Sequence, residues 1–392
     1  MIAAGVGFSD LEDTCNAALS ASGSALENSG SPHADFAFVF ATSDYCREAD
    51  VVLQVVRNAL GCEPVIGCSA MGLLTTAGEV ESGPGLAVLA ITADNFKAIP
   101  FLASNCSGTV KSISDSIYGN FSSNIVGDRL LVLLPDVLSV QPSQLVEEIQ
   151  SDAKILPIVG AASSVFPSGN GAYHWDGFSI SRNGASGALL CGDFQTKIGV
   201  AQGCDPIGDP LSITRAKENI IAEIDGRPAL KVLSETLAYL SEEELKQAAR
   251  NLFAGIAWKD EYNLNRGDFV IRNLVSTDQG TGTVGIAEEV REGQIIQFQL
   301  RNAQTARSDM HRTISGLFDE TRGVPLRFGL YFNCLGRGAG LYGEPNHDLT
   351  IIKEFFGDLP IIGFFGNAEI APLAGRNYVH NYTGVLVLVG ET

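Results

Sequence analysis

The sequence predicts an α+β protein of two domains, built on mixed, largely antiparallel sheets that pack with helices. A chain of 392 residues exceeds what one hydrophobic core usually fills, so we expect residues 1–205 and 206–392 to form separate domains. Strand-like apolar runs outnumber helical patterns, and many neighbouring runs are close enough in sequence to form hairpins. A third observation is a turn of the pattern Pro-apolar-apolar-Gly that occurs three times.

The first half alternates strand-like and helical patterns. After a strand at residues 2–6, Ser9-Asp-Leu-Glu12 has the spacing of a capping box and predicts a helix over residues 9–21. Apolar runs predict strands at residues 36–40, 86–91, 97–103 and 130–134. Helical spacing predicts helices at residues 47–60, 109–121 and 142–153, the first of them ended by Gly61.

The second half begins with a stretch rich in turn residues. Two Asp-Pro pairs and several glycines at residues 203–230 predict a link between the domains, with a helix from Arg227. A second capping box, Ser241-Glu-Glu-Glu244, predicts a helix that ends near Leu252. We expect strands at residues 269–275 and 294–299 and a helix at residues 303–317.

An internal repeat accompanies the recurring turn. The three copies are Pro64-Val-Ile-Gly67, Pro157-Ile-Val-Gly160 and Pro360-Ile-Ile-Gly363. Each precedes a glycine-rich connection and a later apolar run, at residues 86–91, 188–190 and 385–389. This predicts one supersecondary unit present three times. The alternative is that such turns are common strand punctuation.

Composition and charge exclude several classes of function. The formal net charge is −19 with no basic cluster, which disfavours nucleic acid and anionic membrane surfaces as partners. No signal-peptide pattern and no apolar stretch of about 18 residues is present, so we expect a cytoplasmic protein without membrane insertion. The 8 cysteines lack Cys-x-x-Cys or zinc spacing and fit a reducing compartment.

The motifs of common enzymes are absent, and we expect neither an enzyme nor a cofactor. The chain has no Gly-x-Ser-x-Gly elbow, no phosphate-binding loop of the Gly-x-x-x-x-Gly-Lys type and no paired-histidine metal motif. The spacing of Gly280-Thr-Gly-Thr-Val-Gly285 fits a dinucleotide site, but the following segment is too short for the required helix and predicts a strand-connecting loop. The enzymatic alternative is a reactive thiol at Cys68 or Cys334, activated for Cys334 by the charge of Arg337.

Two charged residues stand among glycines and apolar residues near the C-terminus. Arg337 follows Asn333-Cys-Leu-Gly336, and Glu369 follows Gly366-Asn-Ala368. A buried charge without a partner is costly, so each is expected to meet an opposite charge or a ligand. They either pair with each other or together bind a zwitterion such as an amino acid. A single haem-ligating histidine, at His174 or His380, also stays open.

The chain resembles the FIST family, a two-part sensory module of bacterial signalling proteins whose eukaryotic versions are joined to F-box segments. In the N-terminal part the resemblance lies in Ala4-Gly-Val-Gly-Phe-Ser9, Ile66-Gly-Cys-Ser69 and Gly203-Cys-Asp-Pro-Ile-Gly208. In the C-terminal part it lies in Cys334-Leu-Gly-Arg-Gly338 and Ile362-Gly-Phe-Phe-Gly-Asn-Ala-Glu-Ile370, where Ala368 departs from the glycine of many relatives. Residues 1–205 would then be the FIST-N part and residues 206–392 the FIST-C part.

The resemblance implies intracellular sensing of a small polar, amino-acid-like molecule in signal transduction. The residues expected to contact the ligand are Arg337, Glu369, Asn367, Cys334, Gly363, Phe364, Phe365, Cys68 and Ser69. Arg337 and Glu369 would orient the ligand, Asn367 would add a hydrogen bond, and Phe364 or Phe365 would supply an apolar wall. A separate signalling or ubiquitin-ligase-type protein would be the partner. The alternatives are a protein-recruiting scaffold without a small ligand and a haem-binding gas sensor.

Overall fold

The computed structural model describes residues 1–104, 109–119, 127–152, 156–164, 171–259 and 264–392. They form two compact units, the first of Met1–Val200 with Arg312–Thr392 and the second of Ala201–His311. Helices and mixed sheets occur in the chain as predicted, which confirms the α+β class. The boundary predicted after residue 205 separates the two domains expected from the sequence. It stays a prediction.

The first two repeats of the first unit have the same order of elements. The first consists of β1 (Ile2–Ser9), α1 (Thr14–Ser29), β2 (Phe36–Ala41), a 3-10 helix (Ser43–Glu48), α2 (Ala49–Leu60), β3 (Val65–Ser69), β4 (Leu73–Thr75), β5 (Gly78–Val80) and β6 (Leu86–Ala93). The second consists of β7 (Phe96–Ala103), α3 (Val110–Gly119), β8 (Asp128–Pro135), α4 (Pro142–Asp152), β9 (Ile158–Ala162), β10 (His174–Trp175), β11 (Ile180–Ser181) and β12 (Ala185–Gly192).

A third repeat begins with β13 (Gln195–Ala201) and is interrupted in sequence by the second unit. The elements of the interruption are β14 (Cys204–Lys217), β15 (Ile220–Ile224), β16 (Arg227–Pro228), α5 (Ala229–Ala238), α6 (Glu242–Asn251), β17 (Leu252–Ala257), β18 (Phe269–Asp278), β19 (Thr283–Ile286) and β20 (Ile295–Arg301). The repeat then continues with α7 (Ala303–Glu320), β21 (Leu326–Cys334), α8 (Ala339–Tyr342), α9 (His347–Phe356), β22 (Ile361–Gly366), β23 (Ala368–Leu373), β24 (Arg376–His380) and β25 (Gly384–Gly390). The predicted threefold repeat is therefore confirmed, and its three later apolar runs are β6, β12 and β25.

The second unit is a ring of antiparallel strands. The long strand β14 pairs with β20 through its first half and with β15 through its second half. The order β14-β20-β17-β18-β19-β15 therefore closes on itself, and its apolar core includes Val232 and Leu233 of α5. The expectation that residues 203–230 are a link was wrong, because most of them form β14 and β15. The second Asp-Pro pair, Asp209-Pro210, lies where the register of β14 against β20 shifts, between Ile207 and Leu211, whereas the first pair stays in register with β20.

The described strands of the first unit form three sheets that exchange hairpins in a cycle. Their orders are β1-β6-β2-β3-β10-β11, β24-β23-β9-β8-β12-β7 and β13-β25-β21-β22-β4-β5. The hairpin β10-β11 of the second repeat thus joins the first sheet, and the hairpin β23-β24 of the third repeat joins the second sheet. The hairpin β4-β5 of the first repeat joins the third sheet. Each exchanged hairpin covers a strand edge that would otherwise be exposed, so no repeat completes its own sheet.

One hydrophobic core is shared by all three sheets. Along β2, Phe36, Phe38 and Phe40 face this shared core, whereas Val39 faces the core formed with α1 and α2. This alternation of faces follows from the period of two in a strand. The third sheet contributes residues such as Phe332 to the shared core.

The repeated glycine marks the closest approach of two parallel strands in each sheet. A Cβ atom at this position would lie about 2 Å or less from a backbone oxygen of the neighbouring strand, where no side chain fits. A Cβ atom added to Gly67 would lie 1.8 Å from the carbonyl oxygen of Val39. The corresponding distances are 2.0 Å from Gly160 to the oxygen of Leu133 and 1.7 Å from Gly363 to the oxygen of Tyr331. The recurring turn is therefore a requirement of the fold and more than punctuation.

The two predicted capping boxes had different outcomes. The helix expected from Ser9 begins instead at Thr14, because Ser9 ends β1 and Asp13 caps the helix by accepting a hydrogen bond from the amide of Asn16. The box at Ser241 and Glu244 is present and begins α6. The predicted helix ends at residues 121 and 153 lie outside the described residues. Among the residues with assigned structure, no helix is both long and apolar enough to cross a membrane.

Candidate functional site

A buried ion pair lies just after the end of β21. The Nε atom of Arg337 is 3.0 Å from Oδ2 of Asp348, its Nη2 atom is 3.2 Å from Oδ1, and neither side chain is exposed. The hydroxyl of Tyr342 lies 2.5 Å from Nη2 of Arg337. Asp348 is in the first turn of α9, where a negative charge also interacts favourably with the helix dipole. The expected partner of Arg337, if it formed a salt bridge, was Glu369; the structure assigns this role to Asp348.

Further donors converge on Asp348. Tyr331 donates its hydroxyl to Oδ2 at 2.8 Å, and Asn333 donates its amide nitrogen to the same oxygen at 3.2 Å. Burial alone would raise the pKa of Asp348, but the charge of Arg337 and the hydrogen bonds outweigh it and hold that pKa well below its usual range. The pair is therefore ionised at neutral pH.

The exchanged hairpin of the first repeat holds the segment between Arg337 and Asp348. Oε1 of Glu81 accepts a hydrogen bond from the amide of Ala339 at 2.8 Å. Glu79 and Asn346 exchange two bonds of 2.6 Å, each accepting from the backbone amide of the other. Sequence reasoning did not identify Asp348, Glu79 or Glu81, because the first lies 11 residues from Arg337 and the others come from a different repeat.

Glu369 on β23 is completely buried and has one satisfied oxygen. Its Oε2 accepts from the amide of Thr383 at 3.2 Å and from the hydroxyl of Thr383 at 2.9 Å. Within the part of the chain that the structure describes, Oε1 has no hydrogen-bond partner. Burial raises the pKa of Glu369 to about 8, although the bonds from Thr383 and the charge of Arg337 act in the opposite direction. The carboxyl group is therefore mostly protonated at neutral pH.

A short loop connects Glu369 with the turn that carries Arg337. The carbonyl of Thr383 accepts from the amide of Cys334 at 3.0 Å, and the amide of Arg337 donates to the carbonyl of Cys334 at 2.9 Å. Tyr382 has a φ of 65°, an unusual conformation for a residue with a side chain, and its ring lies over Gly336. We call the residues joined by these contacts, together with Asn333 at the end of β21, the turn site: Asn333, Cys334, Gly336, Arg337, Glu369, Tyr382 and Thr383.

Comparison of the three repeats shows that the fold itself does not require the buried carboxyl group of Glu369. The residue after each repeated glycine faces one residue of the exchanged hairpin. These facing residues are His174 in the first sheet, Glu369 in the second and Leu73 in the third. Because leucine occupies one of the three equivalent positions, a buried carboxyl group there is not needed to form a sheet.

His174 is a buried neutral histidine with partners for both ring nitrogens. Nε2 lies 3.2 Å from the hydroxyl of Ser163, and Nδ1 lies 3.3 Å from the hydroxyl of Ser186. Burial lowers the pKa of His174 to about 4, although the charge of Asp136 raises it in part. The other histidine considered for haem, His380, is buried with Nε2 3.1 Å from the carbonyl of Ala371.

The other predicted contact residues are distributed between this region and the shared core. Cys334 belongs to the turn site, and Asn367 lies next to it with its amide donating to the carbonyl of Ala162. Phe364 packs in the shared core against Phe40 and Phe332, with ring centres 4.9 Å and 5.6 Å away.

Phe365 and Ser69 form hydrogen bonds with backbone groups outside the turn site. The amide of Phe365 donates to the carbonyl of Gly72, and the hydroxyl of Ser69 accepts from the amide of Tyr173. Gly363 is the close-approach glycine of β22. Cys68 faces His174 in the strand register, and burial raises the pKa of its thiol well above the ordinary value. This environment is the opposite of the one that activates a thiol.

No group of three or more His, Cys, Asp or Glu side chains that could hold a metal ion occurs among the residues that the structure describes. The turn site contains the buried carboxyl group of Glu369 and the arginine of a neutralised ion pair.

Comparison with known proteins identifies two family models along the chain. The model of the FIST N domain matches residues 35–227, and the model of the FIST C domain matches residues 229–372. The uncharacterized protein Rv0628c of Mycobacterium tuberculosis is 30% identical over 385 residues, which is 98% of each chain. The uncharacterized protein Mb0898c of Mycobacterium bovis is 30% identical over 388 residues, again 98% of each chain.

More distant similarities cover less or are weaker. Human F-box only protein 22 is 25% identical over 125 residues, which is 28% of each chain. The structure of PurLQS from Thermotoga maritima aligns with 100% of this chain and 72% of that chain, at 10% identity and a TM-score of 0.23. That score is too low to indicate a shared fold.

Proposed function

This chain belongs to the FIST family, and from that premise we propose that it is a sensory protein that binds a small polar molecule at the turn site. FIST domains are sensory domains of signal transduction. We propose in addition that the protein binds its ligand without catalysing a reaction.

The observation that carries the proposal is the state of Glu369. Its side chain is completely buried, and its Oε1 has no partner among the described residues. A buried polar atom left without a hydrogen bond costs about 1–3 kcal/mol. The equivalent position in the third sheet is Leu73, so the fold can avoid this cost. A polar ligand that reaches Oε1 would give the carboxyl group the partner it lacks.

The geometry supports an indirect role for Arg337. Its guanidinium group binds Asp348 and Tyr342, and the amide of the same residue closes the turn on Cys334. These contacts hold the turn in one conformation beside Glu369. Arg337 therefore shapes the site, and we do not assign it the direct contact with a ligand carboxylate that the sequence suggested.

A protein partner is the second part of the proposal. The similarity to a segment of human F-box only protein 22 favours a role in which the bound state is read by a separate signalling or ubiquitin-ligase-type protein. The loop with Tyr382 and Thr383 contacts both Glu369 and the Cys334 turn, so a ligand at Glu369 would act directly on this loop.

The experiment is a thermal-shift screen against amino acids, small carboxylates, small amines and haem. A ligand that binds only the folded state raises the unfolding temperature by mass action. We expect a hit that stabilises the wild type and Glu63→Gln, a matched change at an exposed glutamate, but not Glu369→Gln. Circular dichroism would establish that both variants are folded.

Two outcomes would contradict the proposal. If no compound stabilises the wild type, the scaffold alternative takes precedence. If Glu369→Gln responds to the hit as the wild type does, the ligand does not bind at the turn site. Stabilisation by haem alone, with a haem absorbance band, would favour the gas-sensor alternative.

A further inference from the structure

Two buried side-chain oxygen atoms of the turn site lack partners among the residues that the structure describes. One is Oε1 of Glu369, and the other is Oδ1 of Asn333. The orientation of the Asn333 amide follows from its surroundings, because its nitrogen must face the carboxylate of Asp348. The oxygen is thereby directed away from Asp348, and both side chains are completely buried.

The two residues are joined through Thr383. Asn333 lies opposite Gly384 in the register of β21 with β25, and the next residue of β21, Cys334, donates its amide to the carbonyl of Thr383. The amide and hydroxyl of Thr383 both donate to Glu369. Asn333 and Glu369 are therefore both linked to the segment Thr383-Gly384, Asn333 through the strand register and Glu369 through side-chain hydrogen bonds.

The positive charge of Arg337, which acts on Glu369, is already neutralised. Arg337 forms its ion pair with Asp348, which also receives Tyr331 and Asn333. A ligand carboxylate brought into this region would compete with Asp348 for the same guanidinium group. It would also lie near Oδ1 of Asn333, which only accepts hydrogen bonds, and near Glu369, whose ionised form would repel it.

We infer that the ligand of the turn site presents a cationic hydrogen-bond donor, an ammonium or guanidinium group, to Glu369 and Asn333, and that it needs no carboxylate. This inference rests on the proposed function and names its ligand class. An ammonium group carries three donors and no acceptor, which complements two acceptor oxygens. Its bond to an ionised Glu369 would be charge-assisted and hence among the stronger hydrogen bonds of proteins.

Proton release should accompany the binding of such a cation. Without ligand, burial raises the pKa of Glu369 to about 8, so the carboxyl group is mostly protonated at neutral pH. A bound cation favours the ionised form, and the proton passes from Glu369 to the buffer. Among the described residues, charged and titratable groups that face Glu369 include Arg337, which is fixed as a cation by Asp348, and His380, opposite it on β24.

The test uses matched amines and acids of three sizes with their parent amino acids. The sets are ethylamine, propionate and alanine; phenethylamine, 3-phenylpropionate and phenylalanine; and isoamylamine, 4-methylpentanoate and leucine. Each is titrated into the 392-residue protein at pH 7 by calorimetry, in phosphate and in Tris. We expect at least one amine to bind at least about tenfold more tightly than its matched acid, a difference of about 1.4 kcal/mol. The heat should differ between the buffers by the amount expected for release of up to about one proton.

Two variants separate a specific contact from a structural effect. Glu369→Leu places the residue of the equivalent third-sheet position at the site, so it should fold and lose amine binding by at least about tenfold. Glu63→Gln should bind like the wild type. If a carboxylic acid binds most tightly and Glu369→Leu abolishes that binding, the turn site remains the receptor site but the cationic ligand class is wrong. If none of the nine compounds binds, the inference fails, and the broader thermal-shift screen then decides the proposed function by itself.

Discussion

Arg337 and Asp348 form a fully buried ion pair, with Nε of the arginine 3.0 Å from Oδ2 of the aspartate. The pair links the turn after β21 to the first turn of α9, and Tyr331 and Asn333 add two more hydrogen bonds to it. Because the charges neutralise each other, this pair organises the site, whereas Glu369 of the turn site keeps a buried oxygen that has no partner among the described residues.

Removing one member of this pair should strongly destabilise the protein. We expect Asp348→Asn to lower the free energy of unfolding by about 3–5 kcal/mol, because it leaves the charge of Arg337 buried without its counter-ion. Urea unfolding followed by circular dichroism measures this change. The control is Asp319→Asn, which breaks an exposed pair of 2.7 Å with Arg322 and should cost less than about 1 kcal/mol. Equal stability of Asp348→Asn and the wild type would show that the pair does not form.

The raised pKa of Glu369 predicts a loss of stability as pH rises from the acid range to about 8. Its folded pKa of about 8 exceeds the ordinary value of 4.5, so the folded state retains a proton that the unfolded chain releases. The contribution of this group to stability therefore falls as pH rises from about 4.5 to about 8 and is constant above. Glu369→Gln should remove this fall and be more stable than the wild type at about pH 9. Parallel pH profiles of the two proteins in urea unfolding would refute the assignment.

His174 predicts the opposite dependence at acid pH. Its folded pKa of about 4 lies below the ordinary value of 6.5, so the unfolded chain takes up a proton that the folded state excludes. Its contribution is fully present above about pH 6.5 and is lost as pH falls to about 4. The stability of His174→Gln should decline less over this interval than that of the wild type. His33→Gln, at an exposed position, is the matched control and should keep the wild-type slope.

The close-approach glycines predict a strong effect of one added methyl group. In Gly363→Ala the new Cβ would lie 1.7 Å from the carbonyl oxygen of Tyr331, so β21 and β22 would have to separate. We expect a loss of about 1–3 kcal/mol in the free energy of unfolding. Gly23→Ala in α1, where the new methyl group meets nothing within 4 Å, should instead stabilise by about 0.5–1 kcal/mol. A Gly363→Ala protein as stable as the wild type would rule out this packing.

Much of the first unit could be predicted from local patterns. The repeated Pro-apolar-apolar-Gly turn and the apolar runs after it identified the three repeats, because a parallel strand pair at close approach requires glycine at the same place each time. The helix after Ser241 followed from its capping box. The helix predicted from Ser9 failed because that serine is the end of β1, and the pairing of β1 with β6 overrode the local capping signal.

The sequence by itself determined that Arg337 and Glu369 would be buried and would need compensation, since each stands among glycines and apolar residues. Only the tertiary structure decided how that compensation is achieved. Asp348 reaches Arg337 from α9, Glu81 holds the intervening segment from an exchanged hairpin, and Thr383 binds one oxygen of Glu369. Hairpin exchange between repeats and side-chain contacts across a loop depend on positions in space, and no local periodicity in the chain encodes them.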